Sequence, residues 1–231
     1  MIEHSKSSLY SFYTDVLCSG KNTAENLRAP TCERFNRLLD SLPVETPRTA
    51  LDLGYGAGEY ALALARAGFM VTAVDQVSSE PFRRRLKDHS EVADRIAVEE
   101  CLIEQYPLAG DFGIVVAKDV LHYLSRQDTE ALLLRAVADS RSLNVHYLEV
   151  FTSISRTAAN GDPIHIEGEA CYTPESFAEA IQRIYRGWEV SLFWNEHAER
   201  DVRTGRIYLE ALRATVVAKR QRATAHSGTG E

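Results

Sequence analysis

Apolar positions recur along this chain in two alternating periods. Short runs rich in β-branched and other apolar residues at Ala50–Leu53, Met70–Val74, Arg95–Val98, Ile114–Ala117, Val145–Phe151, Glu189–Trp194 and Ile207–Val217 predict strands. Helical spacing separates most of the earlier runs, at Tyr60–Ala67, Pro81–Lys87, Thr129–Ser140 and Pro174–Ile184. Two further helical patterns precede the first strand: Leu9–Leu17, and Thr31–Leu42, where Phe35, Leu38, Leu39 and Leu42 fall on one face. Repeated strand–helix units give a parallel sheet with right-handed crossovers, and the last two strands, joined only by residues 197–205, give an antiparallel hairpin at one edge. The expected fold class is therefore α/β: a Rossmann-like, doubly wound, seven-stranded sheet, mostly parallel, with helices on both faces.

A length of 231 residues favours one domain, here placed at 1–220. Within it, residues 1–45 form an N-terminal helical cap. Residues 152–172, polar and long for a connection in a compact domain, are expected to form a lid on the acceptor side of a site. Gln221–Glu231 is small, polar and aperiodic, which predicts a disordered tail.

Composition narrows the partners. The apolar runs fall far short of the roughly 20 residues of a membrane span, so no membrane partner is expected. The first residues lack a basic patch followed by an apolar core, so a cytoplasmic location is expected. A formal charge of −7 opposes a generic phosphate-backbone binder, so no nucleic acid is expected and a small-molecule partner fits better. Of the 26 basic residues only five are Lys, a bias that suggests a GC-rich bacterial genome. Cys18, Cys32, Cys101 and Cys171 lie far apart with no Cys-x-x-Cys pair, which predicts free thiols and neither a disulfide framework nor a bound metal.

The chemistry concentrates between Leu51 and Asp75. In Leu51-Asp-Leu-Gly-Tyr-Gly-Ala-Gly58 a strand runs into Gly54, Gly56 and Gly58, and Glu59-Tyr-Ala-Leu-Ala-Leu-Ala65 supplies a helix. Glycines there permit positive φ and let a ligand touch the backbone. The second strand ends in Asp75, about 20 residues on, where a carboxylate can accept ribose hydroxyls. A dinucleotide fingerprint would need glycine at position 59, where this chain has Glu59, and the charge of Asp52 would repel a pyrophosphate.

The segment LDLGYGAGEYALALARAGFMVTAVD resembles motifs I and II of class I S-adenosylmethionine-dependent methyltransferases, and DFGIVVAKDVLHYL, at 111–124, resembles their fourth-strand motif. Pro174-Glu-Ser-Phe, Gly187-Trp-Glu and Asn195-Glu before a final strand are similar to the small tellurite-resistance-type subgroup. The resemblance implies S-adenosyl-L-methionine as cofactor, with Gly54, Gly56 and Gly58 against its methionine and ribose, Asp52 orienting its amino group and Asp75, with Gln76 beside it, on the ribose hydroxyls. It also implies an acid after the third strand for the adenine amino group. This chain offers Cys101 there, leaving adenine to the backbone of Cys101 and Leu102, or to Glu100 or Glu104. Tyr55 replaces the family's usual Cys and places a ring at the cofactor mouth.

Methyl transfer is an in-line displacement in which the enzyme chiefly positions the nucleophile. Where the acceptor must lose a proton, His122 after the fourth strand is the first candidate base, with Tyr123 beside it and His165 from the lid as further catalytic candidates. For His122 and Tyr123 packing is the competing reading. Lys118 and Asp119 end the fourth strand and face the expected cleft, the first towards cofactor and the second towards substrate. Arg156 is a substrate candidate from the lid. Tyr10 and Tyr13 share a helical face that can cover a sulfonium or pack on the sheet. The triplet Arg83-Arg84-Arg85 is read as solvated surface.

The expected function is methylation of a small-molecule acceptor, in specialised metabolism. Two alternatives stay open: an elimination, cyclisation or rearrangement on the same fold, and a non-catalytic subunit of a hetero-oligomer.

Overall fold

The computed structural model describes residues 2–19, 31–140, 143–201 and 204–220; the tail expected at 221–231 lies outside them. In chain order the elements are β1 (Ile2–His4), α1 (Lys6–Ser19), α2 (Glu33–Asp40), β2 (Thr49–Leu53), α3 (Glu59–Arg66), β3 (Met70–Asp75), α4 (Glu80–Leu86), α5 (Ser90–Ala93), β4 (Ile96–Glu100), β5 (Ile114–Lys118), α6 (Arg126–Asp139), β6 (Val145–Arg156), β7 (Ile164–Ile166), α7 (Pro174–Ile184), β8 (Glu189–Arg200) and β9 (Ile207–Lys219). Short 3₁₀ turns occupy Lys87–His89 and Leu121–Tyr123.

Seven strands form one sheet in the order β4-β3-β2-β5-β6-β9-β8. The first five are parallel, and β9 runs antiparallel to both β6 and β8. The winding reverses at β2, which lies between β3 and β5, so the crevice for a ligand opens at the carboxyl ends of these three strands. Strand alternation divides the core between two faces. Leu51, Leu53, Val115 and Ala117 face α6 and α7, packing with Leu132, Leu133, Phe177 and Ile181. Ala50, Ile114 and Val116 face the other way, against Phe35 of α2, the α3 residues Ala61, Leu62 and Leu64, and Phe82 of α4. Two helices start on side-chain caps: Ser125 accepts a hydrogen bond from the Asp128 amide at the head of α6 (3.0 Å), and Thr173 and Ser176 close a capping box at the head of α7. Among the described residues no helix is long and apolar enough to cross a membrane.

The expected fold is the observed one, with three differences. First, β8 continues to Arg200, because β9 pairs with it along its whole length. Second, the stretch expected as a lid begins as strand: β6 passes a bulge between Thr152 and Ser155 and continues to Arg156. Such a bulge bends and re-aims a strand. Third, β1 and β7 make a separate two-stranded parallel ladder, Ile2 opposite Ile164 and His4 opposite Ile166, which ties residues 2–4 to the segment after β6. The triplet reading also changes. Arg84 is exposed beside Glu80, but Arg83 donates to the Val98 carbonyl and Arg85 to the Ala57 carbonyl. These two arginines fasten α4 to β4 and to the glycine loop.

Candidate functional site

A cavity of about 180 Å³ opens at the carboxyl ends of β2, β3 and β5. Its floor is the glycine loop. Gly54 has φ 75°, and a side chain there would strike Val120. Gly56 has φ 51° and nothing within 4 Å of where a Cβ would stand, so its backbone is open to a ligand. Gly58 differs: at φ 84° its missing Cβ is replaced by the Phe82 ring, which would lie 2.0 Å from it. Gly58 does not line the cavity. Its glycine lets α4 pack against the head of α3, a correction to the ligand-facing role expected for it.

Asp75 latches this loop. Its carboxylate accepts from the Gly56 amide at 2.9 Å and the Val77 amide at 3.2 Å. Burial nevertheless raises its pKa against those hydrogen bonds. Asp52 is buried deeper, with Oδ2 lacking any hydrogen-bond partner. Burial first, and the Asp75 charge second, push its carboxyl up to about 7, opposed by the Ala61 backbone and the Lys118 charge. An orphaned carboxylate oxygen facing a cavity is costly unless a ligand donates to it. Gln76, Lys118 and the buried ring of Tyr55 complete this half. Tyr55 packs on Phe82 at 5.1 Å between centroids, and its hydroxyl also lacks a partner.

The roof is α1, through Tyr10, Tyr13 and Leu17. Tyr10 and Gln76 both line the cavity, and the Tyr13 and Tyr123 hydroxyls meet at 2.6 Å. The helical face carrying the two tyrosines thus covers the cavity. The second half of the cavity is lined by Tyr123, Asp119, Phe151, Leu209 and Glu199. Asp119, at φ 51°, is held by Lys118 and by Arg213 at 2.9 Å, and Arg213 lies over the Phe151 ring. Glu199 accepts from His197 at 3.2 Å and from the Tyr208 hydroxyl. Burial tends to raise its pKa, but these hydrogen bonds and the charges of His197 and Arg213 outweigh burial and hold the carboxyl below its ordinary value.

Of the sequence candidates, the fold therefore gathers Asp52, Gly54, Tyr55, Gly56, Asp75, Gln76, Lys118, Asp119, Tyr10, Tyr13 and Tyr123 around one cavity. It does not bring in His122, whose ring is buried between Tyr123 and Phe151 with both nitrogens unpartnered. Burial, and then the Arg156 charge, push its pKa down to about 3. Those surroundings fit the packing reading of His122, since a base must reach its proton. His165 is exposed on β7, opposite Glu3. Arg156 forms a bidentate pair with Glu169, at 2.7 and 2.6 Å, and does not line the cavity. Cys101 and Leu102 are also outside the lining, which Ile103 reaches instead. The Cys101 amide donates to the Asp75 carbonyl, and Glu100 accepts from the Ser79 amide. Glu199, Phe151 and Leu209 were not candidates. The pattern that marks Glu199 is the alternation of β8 carried past Trp194, which puts His197 and Glu199 on one face.

The doubly wound sheet, the glycine loop and the two strand-end acids define the class I methyltransferase fold, and residues 50–140 match the family model described as a methyltransferase domain. The chain has the fold of that class, and its residues 50–140 are similar to that domain. Among solved structures it is similar to the 1,6-didemethyltoxoflavin N1-methyltransferase of Burkholderia thailandensis, bound to its substrate and S-adenosylhomocysteine, at 17% identity over 93% of this chain and 88% of that one (TM-score 0.61). It is similar as well to TehB from Haemophilus influenzae, at 17% identity over 90% and 67% (TM-score 0.56). A third similar structure concerns conversion of a disulfide bond into a thioacetal group in echinomycin biosynthesis, at 16% identity over 93% and 94% (TM-score 0.61). Comparison with curated protein sequences gave no match.

The cofactor of this class is S-adenosyl-L-methionine, and the residues present fit it. Asp52 supplies the orphaned acceptor that an ammonium group needs, Gly56 leaves its backbone uncovered, and five lining carboxylates (Asp52, Glu59, Asp75, Asp119 and Glu199) against Lys118 suit a net cationic ligand.

Proposed function

We propose that the protein is an S-adenosylmethionine-dependent methyltransferase acting on a small-molecule acceptor of specialised metabolism. The observation that carries the reading is the buried, unpartnered Asp52 oxygen beside a glycine loop that Asp75 ties in place. Bound S-adenosylmethionine supplies a methyl group on a sulfonium, open to displacement by a nucleophile. The chain's own residues then bind and orient. Asp52 takes the amino group, Asp75 and Gln76 take the ribose hydroxyls, and the Gly54–Gly56 backbone takes the methionine end. Tyr10 and Tyr13 close the roof, which excludes water from the reacting groups. The toxoflavin and echinomycin neighbours support a small-molecule acceptor in specialised metabolism.

Non-methylating chemistry on the same fold remains as a second reading, motivated by the adenine side, where Cys101 stands in place of an acid and does not line the cavity. Calorimetry with S-adenosylmethionine tests the first reading. Binding is expected, and Asp75→Ala is expected to weaken it at least tenfold, as loss of a charged hydrogen-bond acceptor does. No binding at millimolar cofactor, or unchanged binding in Asp75→Ala, would overturn it. Product formation without stoichiometric S-adenosylhomocysteine would favour the second reading.

A further inference from the structure

The half of the cavity away from the glycine loop contains one carboxylate that, among the described residues, no lysine or arginine pairs with directly. Glu59 is paired with Arg85 at 2.8 Å, and Asp119 with Lys118 and Arg213. Asp75 is taken by backbone amides. Glu199 has no Lys or Arg within ion-pair distance among the described residues; its partners are His197 on one oxygen and the Tyr208 hydroxyl on the other. A carboxylate offers about four acceptor positions, so roughly half its capacity remains. The group lines the cavity, and its side chain is 14% exposed. A carboxylate this far withdrawn from water is costly unless it is hydrogen-bonded and paired. The hydrogen bonds are present, but among the described residues no lysine or arginine pairs with it directly: His197 is a cation only when protonated, and Arg213 acts from beyond ion-pair distance. His197 is itself fixed by stacking on Phe151 at 4.6 Å, so the carboxylate is held rigidly at the wall. Its neighbours in the lining, Phe151 and Leu209, are apolar.

We propose that this half of the cavity is a subsite for a cationic nitrogen, an amine or amidine on an otherwise apolar small molecule, that docks on Glu199. The assignment rests on the methyltransferase reading for its meaning as the acceptor side, but not for its physics. An anionic ligand meets the Glu199 carboxylate and is repelled. A neutral one leaves Glu199 without a directly paired cation. A cation satisfies the open positions and the charge at once, and a flat apolar body fills the space beside Phe151 and Leu209.

The test uses the full chain saturated with S-adenosylhomocysteine at pH 7.5. Benzylamine, benzyl alcohol and benzoate, alike in shape and different in charge, are titrated by calorimetry. Benzylamine is expected to bind at least about tenfold more tightly than benzyl alcohol, the worth of one charge-assisted hydrogen bond, with benzoate weakest. Glu199→Gln is expected to remove that preference for benzylamine while leaving affinity for S-adenosylhomocysteine unchanged. Benzoate binding as well as benzylamine, no benzylamine binding at tens of millimolar, or an undiminished preference in Glu199→Gln each overturns the proposal. The three-probe comparison on the unaltered protein stands whether or not the variant folds. If S-adenosylhomocysteine itself fails to bind, the cofactor reading falls, and the same titration without it still reports on Glu199.

Discussion

Replacing Gly58 by alanine puts a methyl group where the Phe82 ring already lies. The backbone there has φ 84°, and the added Cβ would come within 2.0 to 2.4 Å of three ring carbons. Two costs combine: about 1–2 kcal/mol for an L side chain in the left-handed region, and about 1–3 kcal/mol for overpacking against a ring that is 2% exposed and packed on Tyr55. Urea denaturation of Gly58→Ala should therefore show a loss of roughly 2–5 kcal/mol. Phe82→Ala alone should cost about 3–5 kcal/mol through the cavity it leaves. In the double variant the clash is gone and only the backbone term is added, so the cycle should show a coupling of about 1–3 kcal/mol. Gly58 does not line the cavity, so Gly58→Ala should weaken S-adenosylmethionine binding far less than Asp75→Ala does. Additive stability losses, or a cofactor defect in Gly58→Ala as large as that of Asp75→Ala, would refute the assignment of this glycine to packing.

Two further outcomes are expected. Arg156→Leu leaves the Glu169 carboxylate, 5% exposed, without its partner, and should cost about 3–5 kcal/mol in denaturant unfolding; Arg156→Leu with Glu169→Leu should cost clearly less, and equal losses would show that the pair's charge is not what matters. His122 has a folded pKa of about 3 because it is buried, whereas the unfolded chain takes up a proton below about pH 6.5. Stability from this group is thus present above pH 6.5 and is lost as pH falls, by about 2 kcal/mol at pH 5. Asp52, raised to about 7, acts with the opposite sign, since protonation relieves its burial. The difference between the native chain and His122→Leu isolates the histidine: it should shrink by about 2 kcal/mol between pH 7.5 and pH 5, and a constant difference would contradict the burial of a neutral ring.

Much of this fold can be read from apolar periodicity because strands buried on both faces leave few polar residues. Leu51 and Leu53 alternate with Ala50 and Asp52, and both sets are buried. The cofactor half is legible for a related reason, since glycines and acids at strand ends have few packing roles to disguise them. What could not be read depends on pairing. A three-residue strand such as Ile2–His4 has no period of its own and exists because Ile164–Ile166 lies alongside. Glu199 sits in a polar stretch that looks like a loop until β9 makes it a strand. Gly58 carries the same sequence signal as Gly56, and only the position of Phe82 tells the two apart. His122 follows the fourth strand as a base would, but the 3₁₀ turn at Leu121–Tyr123 turns Tyr123 to the cavity and buries its neighbour.

The ladder between β1 and β7 bears on local stability. It anchors the amino end of α1, the helix that roofs the cavity, to the segment that follows the β6 bulge, through three residues a side. So small a ladder opens at a fraction of the free energy needed to unfold the seven-stranded sheet. The amino end of the roof helix is thereby held by a weaker pairing than the one that builds the floor. The latch between Asp75 and the glycine loop lies on the large sheet and does not depend on that ladder.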